Sequence, residues 1–245
     1  MVSGKYGALS GAVSREQAMS NIAANLANVN TTGFKKNRIS FQAILRGEQQ
    51  NTNAKGINYA RIRAIETDFS QGAMQQTDRP LDVAIDGEGF FKIRKGNDIM
   101  YTRAGHFMID EDGMIKTSDG YNVISQANQP LQLLEGGGSD IIINEAGGIS
   151  VDGVDTGVGL QIFTVADPQQ LKQVGNSRFQ LEQGGGDLPA ADSRIIQGSL
   201  ETSNVNMMEE MAHMISIQRK FEAHLKVLDR YSTLGERQDE LGSVG

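Results

Sequence analysis

From Glu201 to Leu234 the chain contains neither glycine nor proline, and Met207, Met211, Met214, Phe221, Leu225 and Leu228 recur there at spacings of three and four, with Gln218 in the one polar slot. That period, unbroken by helix-breaking residues, specifies an α-helix with one apolar seam. Ser203, Asn204 and Asn206 precede the apolar run, and Asn206 with Glu209 three residues on resembles a capping box. Gly235 is the expected stop. A helix of about 28 residues is ~42 Å long. Each seam side chain contributes ~1.5–3 kcal/mol on burial, whereas each ordered residue costs ~1–2 kcal/mol in backbone entropy. Such a helix is expected to fray in a free monomer and to be ordered by neighbours.

The N-terminal end has a matching character. Leu9, Ala12, Met19, Ala23 and Leu26 fall on one helical stripe widened by Val13, Ile22 and Val29, and glycine is absent from Ala12 through Thr32. Ala8, Ala12, Ala18, Ala23, Ala24 and Ala27 would let another helix approach closely. Glu16 interrupts the stripe. Asn28, Asn30, Thr31, Thr32 and Gly33 then read as a turn, followed by Phe34.

Between the ends the period changes from helical to alternating. All four prolines lie there. Leu81–Ile85, Phe90–Ile93, Ile99–Arg103, Phe107–Ile109, Met114–Lys116 and Tyr121–Ile124 read as strands, with Asp112-Gly113 and Asp119-Gly120 as two-residue hairpin turns. Further short strands are expected at 141–143, 149–151, 159–166, 178–181 and 195–197. The fold class is therefore α+β, with a central, mainly antiparallel β domain. Residues 35–74 are polar, include Gln49-Gln50-Asn51-Thr52-Asn53, and show only a small apolar cluster at Phe41, Ile44 and Leu45 before a candidate strand at Tyr59–Ile65. They read as a partly ordered linker. The expected division is 1–34 helical, 35–74 linker, 75–199 β domain, and 200–245 helical with a polar tail.

Several function classes are disfavoured. With 245 residues, 38% hydrophobic, and a net charge of -7, the chain can hold one core plus extensions and gives no support to nucleic-acid binding. The absence of cysteine rules out disulfides and thiolate chemistry. No run approaches ~18 consecutive apolar residues, so membrane insertion is not expected, and the first twenty residues do not read as a cleaved secretory signal. Asp110-Glu111-Asp112-Gly113 lacks calcium-loop spacing and reads as a turn. Gly87-Glu88-Gly89 lacks the third glycine and the helix of a nucleotide loop. Gly136-Gly137-Gly138 and Gly184-Gly185-Gly186 read as loop tips. His213 and His224 lie too far apart along a helix to share a metal, and His106 has no nucleophile pattern beside it. Lys35, Lys36 and Arg38 read as a solvated basic face. No cofactor, metal or catalytic residue is expected, and the chain is not read as an enzyme.

Three blocks, in order, carry a family resemblance. Asn25-Leu26-Ala27-Asn28-Val29-Asn30-Thr31-Thr32-Gly33-Phe34-Lys35 resembles the N-terminal signature of bacterial flagellar rod and hook subunits. The run from Leu81 to Phe91, with Tyr101-Thr102-Arg103-Ala104-Gly105, is similar to the start of that family's β domain, and the run from Gly198 to Asn206 to its lead-in to the C-terminal helix. The resemblance implies a structural subunit of the flagellar basal-body rod, in the periplasmic space. In that plan the terminal helices pair as a discontinuous coiled-coil-like domain lining an axial tube, and the β domain faces outward. It implies copies of itself, other rod and hook subunits and the flagellar export apparatus as partners, with the surrounding rings as further candidate neighbours. Chain length and the Arg79-Pro80-Leu81-Asp82 wording are most like a proximal rod subunit. A distal rod subunit is the alternative, and outside the family an adhesin-like binding β module. The subunit interface is expected to involve Leu9, Ala12, Met19, Ile22, Asn25, Leu26, Asn28, Gly33, Phe34, Asn204, Met207, Met211, Met214, Phe221, Leu225 and Leu228.

Overall fold

The computed structural model of the chain describes residues 2–46, 57–125, 127–133, 140–175, 177–181, 186–190 and 192–242. Gln49–Asn53, the first glycine tract, Gly184-Gly185 of the second, and the last three residues of the tail lie outside the described residues. The chain divides into two units, one of residues 1–27, 37–66 and 206–245, the other of 28–36 and 67–205.

The first unit is built on α1 (Val2–Ala27), with the paired strands β1 (Asn37–Arg46) and β2 (Ile57–Thr67), and on a long helix, Met207–Gly242, which we label α2. The segment read as a linker therefore carries two strands; the alternation from Arg38 to Phe41 is the β period that its polar composition conceals. Arg15 stacks on the Phe41 ring at 4.6 Å, tying α1 to β1. α1 starts well before Ala12 and incorporates Gly4, Gly7 and Gly11. α2 begins where expected: the Asn206 side-chain oxygen accepts from the amides of Met208 at 3.1 Å and Glu209 at 3.3 Å. It does not stop at Gly235. That glycine keeps a non-left-handed backbone with open space around it, so it adds a local cost of about 1 kcal/mol to a run of good helix formers rather than terminating it.

The second unit is an antiparallel β structure. Its strands are β3 (Met74–Gln76), β4 (Val83–Asp86), β5 (Phe90–Lys95), β6 (Asp98–Thr102), β7 (Phe107–Ile109), β8 (Ile115–Thr117), β9 (Asn122–Val123), β10 (Ile141–Ile143), β11 (Gly148–Val151), β12 (Val154–Gly159), β13 (Ile162–Val165), β14 (Leu171–Gln173), β15 (Arg178–Leu181), β16 (Asp187–Pro189), β17 (Arg194–Gln197) and β18 (Ser199–Glu201). The largest sheet runs β14-β15-β6-β5-β9-β8-β7, and β5 also pairs with β13, which pairs with β16. Successive strand residues face opposite sides, so adjacent Phe90 and Phe91 on β5 serve two separate cores. Phe91 joins Val83, Ile85, Phe107, Ile115 and Ile195. Phe90 joins Tyr101, Phe163 and Phe179, with Phe69 edge-on to Phe90 at 5.5 Å.

The hairpins form at the expected Asp-Gly sites but with a different turn. Gly113 donates to Asp110 O and Gly120 to Thr117 O, and in each turn only the glycine is left-handed, at φ 74° and 78°. These are three-residue loops ending in a left-handed glycine. Asp110 closes its loop by accepting from the Asp112 and Met114 amides and from Lys116, which is turn chemistry rather than cation binding. A two-residue Asp-Gly turn forms instead at Asp152-Gly153, where both residues are left-handed (φ 50° and 83°) and Val151 pairs with Val154.

Candidate functional site

Within the helical unit, α1 and α2 pack against each other. A Cβ built on Gly4 would lie 2.4 Å from the Tyr231 hydroxyl, and one on Gly11 2.5 Å from the His224 ring. Seven residues forward on one helix match seven back on the other, so the pair is antiparallel, with small residues of α1 facing large ones of α2. Ala8, Ala12, Ala18 and Ile22 are buried along this side of α1, together with Ser14, whose hydroxyl donates to Ser10 O at 2.8 Å. Glu16 is exposed and interrupts nothing.

The structure rotates the expected seam on both helices. On α2 the residues toward α1 are Glu210, Met214, Ile217, Phe221, His224, Leu228 and Tyr231, at alternating spacings of four and three. Met214, Phe221 and Leu228 thus belong to the intrachain seam, whereas Met207, Met211 and Leu225 are about half exposed on the adjoining face. On α1, Ala12 and Ile22 are buried and Met19 and Leu26 half-buried, but Leu9 is 47% exposed. The reason is steric. Close helix approach selects the face without bulk, so glycines and alanines define the contact and the larger Leu9 and Val13 are turned out. What remains is an apolar surface of Tyr6, Leu9 and Val13 on α1 and of Met207, Met208, Met211, Ile215 and Leu225 on α2. A chain rarely leaves that many large apolar side chains in water without something to cover them.

The signature residues between Asn25 and Asn204 hold contacts inside each unit. Asn25 is buried and makes a reciprocal pair with Asn37, its amide donating to Asn37 O and its carbonyl accepting from Asn37 N, both at 3.0 Å. Asn28 accepts from the Thr31 amide and hydroxyl, closing the turn. In the β unit Phe34 is buried. Gly33 adopts φ 67°, and a Cβ there would lie 2.3 Å from Ala104 N. The Asn204 side chain accepts from Lys36 N at 2.8 Å and donates to Asp68 O at 2.8 Å and Ser70 O at 3.1 Å.

Lys35 overturns the solvated basic face. Its side chain is fully buried; its ammonium donates to Glu201 at 2.6 Å and to Ser70 O at 2.6 Å. Glu201 also accepts from Gly72 N at 2.8 Å and Arg103 Nη1 at 3.2 Å, while Arg103 Nη2 donates to Gly87 O at 2.8 Å. One carboxylate thus joins four chain segments. Burial pushes the Lys35 and Arg103 pKa values down, and Glu201 opposes that shift in both. Nothing in local sequence reveals this cluster, because Lys35 and Glu201 are brought together across 166 residues. His106 lies with Nδ1 2.7 Å from Asp82 Oδ1, beside the Asp82–His106 bridge.

Three family models match in order. "Flagella basal body rod protein" matches residues 6–35, "Flagellar hook protein FlgE/F/G D1 domain" matches 84–151, and "Flagellar basal body rod FlgEFG protein C-terminal" matches 196–237. Among similar proteins, the flagellar basal-body rod protein FlgG of Bacillus subtilis is 33% identical, covering 93% of this chain and 94% of its own. FlgG of Borreliella burgdorferi is 34% identical with the same coverage. The flagellar basal-body rod protein FlgF of Rhizobium meliloti is 31% identical over 91% of this chain and 90% of its own. With its helical ends and its β domain each matched, in order and over nearly full length, the chain belongs to the flagellar basal-body rod protein family.

Proposed function

We propose that this chain is a structural subunit of the flagellar basal-body rod, adding to the axial tube through α1 and α2 and transmitting torque through many moderate contacts. The observation that carries this reading is the exposed apolar surface on the helix pair, with Leu9 and Leu225 toward one end and Met207 and Met211 toward the other. Helical assembly repeats one surface head to tail, so a single patch serves every addition. Copies of the chain and other rod and hook subunits are the partners; the export apparatus and surrounding rings are proposed as further contacts. The role is mechanical rather than catalytic.

Relatives named FlgG are 30–34% identical and those named FlgF 28–31%, so identity lends no support to the FlgF-like, proximal reading. The Arg79-Pro80-Leu81-Asp82 wording is what supports it. Electron microscopy of basal bodies from a deletion strain tests both points: loss of the proximal segment is expected, loss of the distal segment alone would reassign the position, and intact rods would overturn the role. At residue level, Leu225→Asp and Leu26→Asp are expected to abolish incorporation while the β unit stays folded.

A further inference from the structure

The flank of α2 turned away from α1 sorts its charges by sign. Glu222, Asp229 and Glu236 follow at seven-residue steps, in line with Met208 and Ile215. Arg219 and Lys226 follow at the same step, with Arg230 beside them. Positions seven apart lie almost on one line along a helix, so the acids form one lane and the bases a second next to it. All six charged side chains are exposed. Among the described residues no ion pair involves any of them, and Glu222 meets only the Gln218 amide at 3.4 Å.

Two lanes of opposite sign discriminate between orientations. When two copies of such a helix pack parallel, side by side or face to face, the acidic lane of one meets the basic lane of the other. Turning one copy end for end exchanges left and right and sets like charge against like. The surface is therefore complementary to itself in one polarity only. An axial offset of three or four residues, about 4.5–6 Å, brings opposite charges level.

We propose that this flank is the docking surface for α2 of a second copy of the chain, packed parallel, with Glu222 and Asp229 of one copy facing Arg219 and Lys226 of the next. The proposal rests on the reading of the chain as a rod subunit that assembles through its helices, whose head-to-tail repeat already makes like helices parallel, and it adds the flank and the residues that meet there. Such charges contribute modestly to affinity and strongly to orientation.

The test uses full-length chain expressed in a strain lacking its own copy, with incorporation into isolated basal bodies measured by immunoblot. Three variants are compared: Arg219→Glu with Lys226→Glu, Glu222→Lys with Asp229→Lys, and all four together, which keeps the native net charge. Either two-site variant is expected to lower incorporation about tenfold or more, and the four-site variant to return it to within about twofold of native. Native incorporation of either two-site variant, or a four-site variant as poor as the two-site ones, overturns the lane pairing. Leu225→Asp, run alongside, separates the two readings. If it incorporates normally, assembly through this helix is itself overturned; if it is excluded while the four-site variant is not rescued, only the parallel pairing falls.

Discussion

The Lys35 ammonium lies 2.6 Å from the Glu201 carboxylate, and both side chains are shut away from solvent. Removing one partner of a buried pair strands the other charge, at a cost of about 3–5 kcal/mol. Lys35→Met and Glu201→Leu are each expected to lower the unfolding free energy of the β unit by that order, read as a lower urea midpoint. Lys35→Met combined with Glu201→Leu should cost less than the sum of its parts, although Arg103 still loses its carboxylate. Additive losses in that double mutant would show that the two groups do not act as a pair.

Gly11 sets the approach of α1 to α2, because any side chain there meets the His224 ring. Gly11→Val should destabilise the helix pair by roughly 1–3 kcal/mol, an overpacking cost, and His224→Ala should relieve part of it. Hydrogen exchange reads this directly, with faster exchange along α1 and unchanged protection in β5 and β6. In dilute native monomer the α1 and α2 amides are also expected to exchange faster than those of the sheet. Equal protection throughout would count against ordering by assembly.

Gly33 is held at φ 67° with Ala104 N where a Cβ would go. Gly33→Ala adds about 1–2 kcal/mol of left-handed backbone strain and a collision with main chain that no rotamer change relieves. Thermal unfolding should therefore shift down by several degrees at least. An unchanged midpoint would mean that the turn can be rebuilt.

Asp110 has its carboxyl pKa held below the usual carboxylate range, first by Lys116 and then by the Met114 amide. A depressed folded pKa means the unfolded chain binds the proton more tightly, so this contribution is complete above the ordinary aspartate pKa and fades as pH falls through the folded one. Asp110→Asn should lower stability at pH 7 and flatten the acid limb of the profile, so that native and variant converge at low pH. An identical acid limb would remove Asp110 from the account.

The helical ends and the β centre were legible because period survives in sequence: three-and-four spacing from Met207 to Leu228, alternation around Phe90 and Phe91, glycine at the turns. Other features were hidden for identifiable reasons. The polar wording around Arg38 concealed β1, and bulk alone does not show that Leu9 and Val13 turn out while Gly4 and Gly11 join the alanines against α2. The helix ran through Gly235 because an isolated glycine with helix formers on both sides costs less than breaking the ladder of hydrogen bonds.

Residue order alone determined the terminal helices and most of the central strands, since local spacing and turn chemistry act over a few residues. The tertiary structure decided which helix flank is covered within the chain and which is left for a neighbour, and it paired Lys35 with Glu201. Both outcomes depend on how closely distant backbones can approach, and that distance is a property of the packed chain.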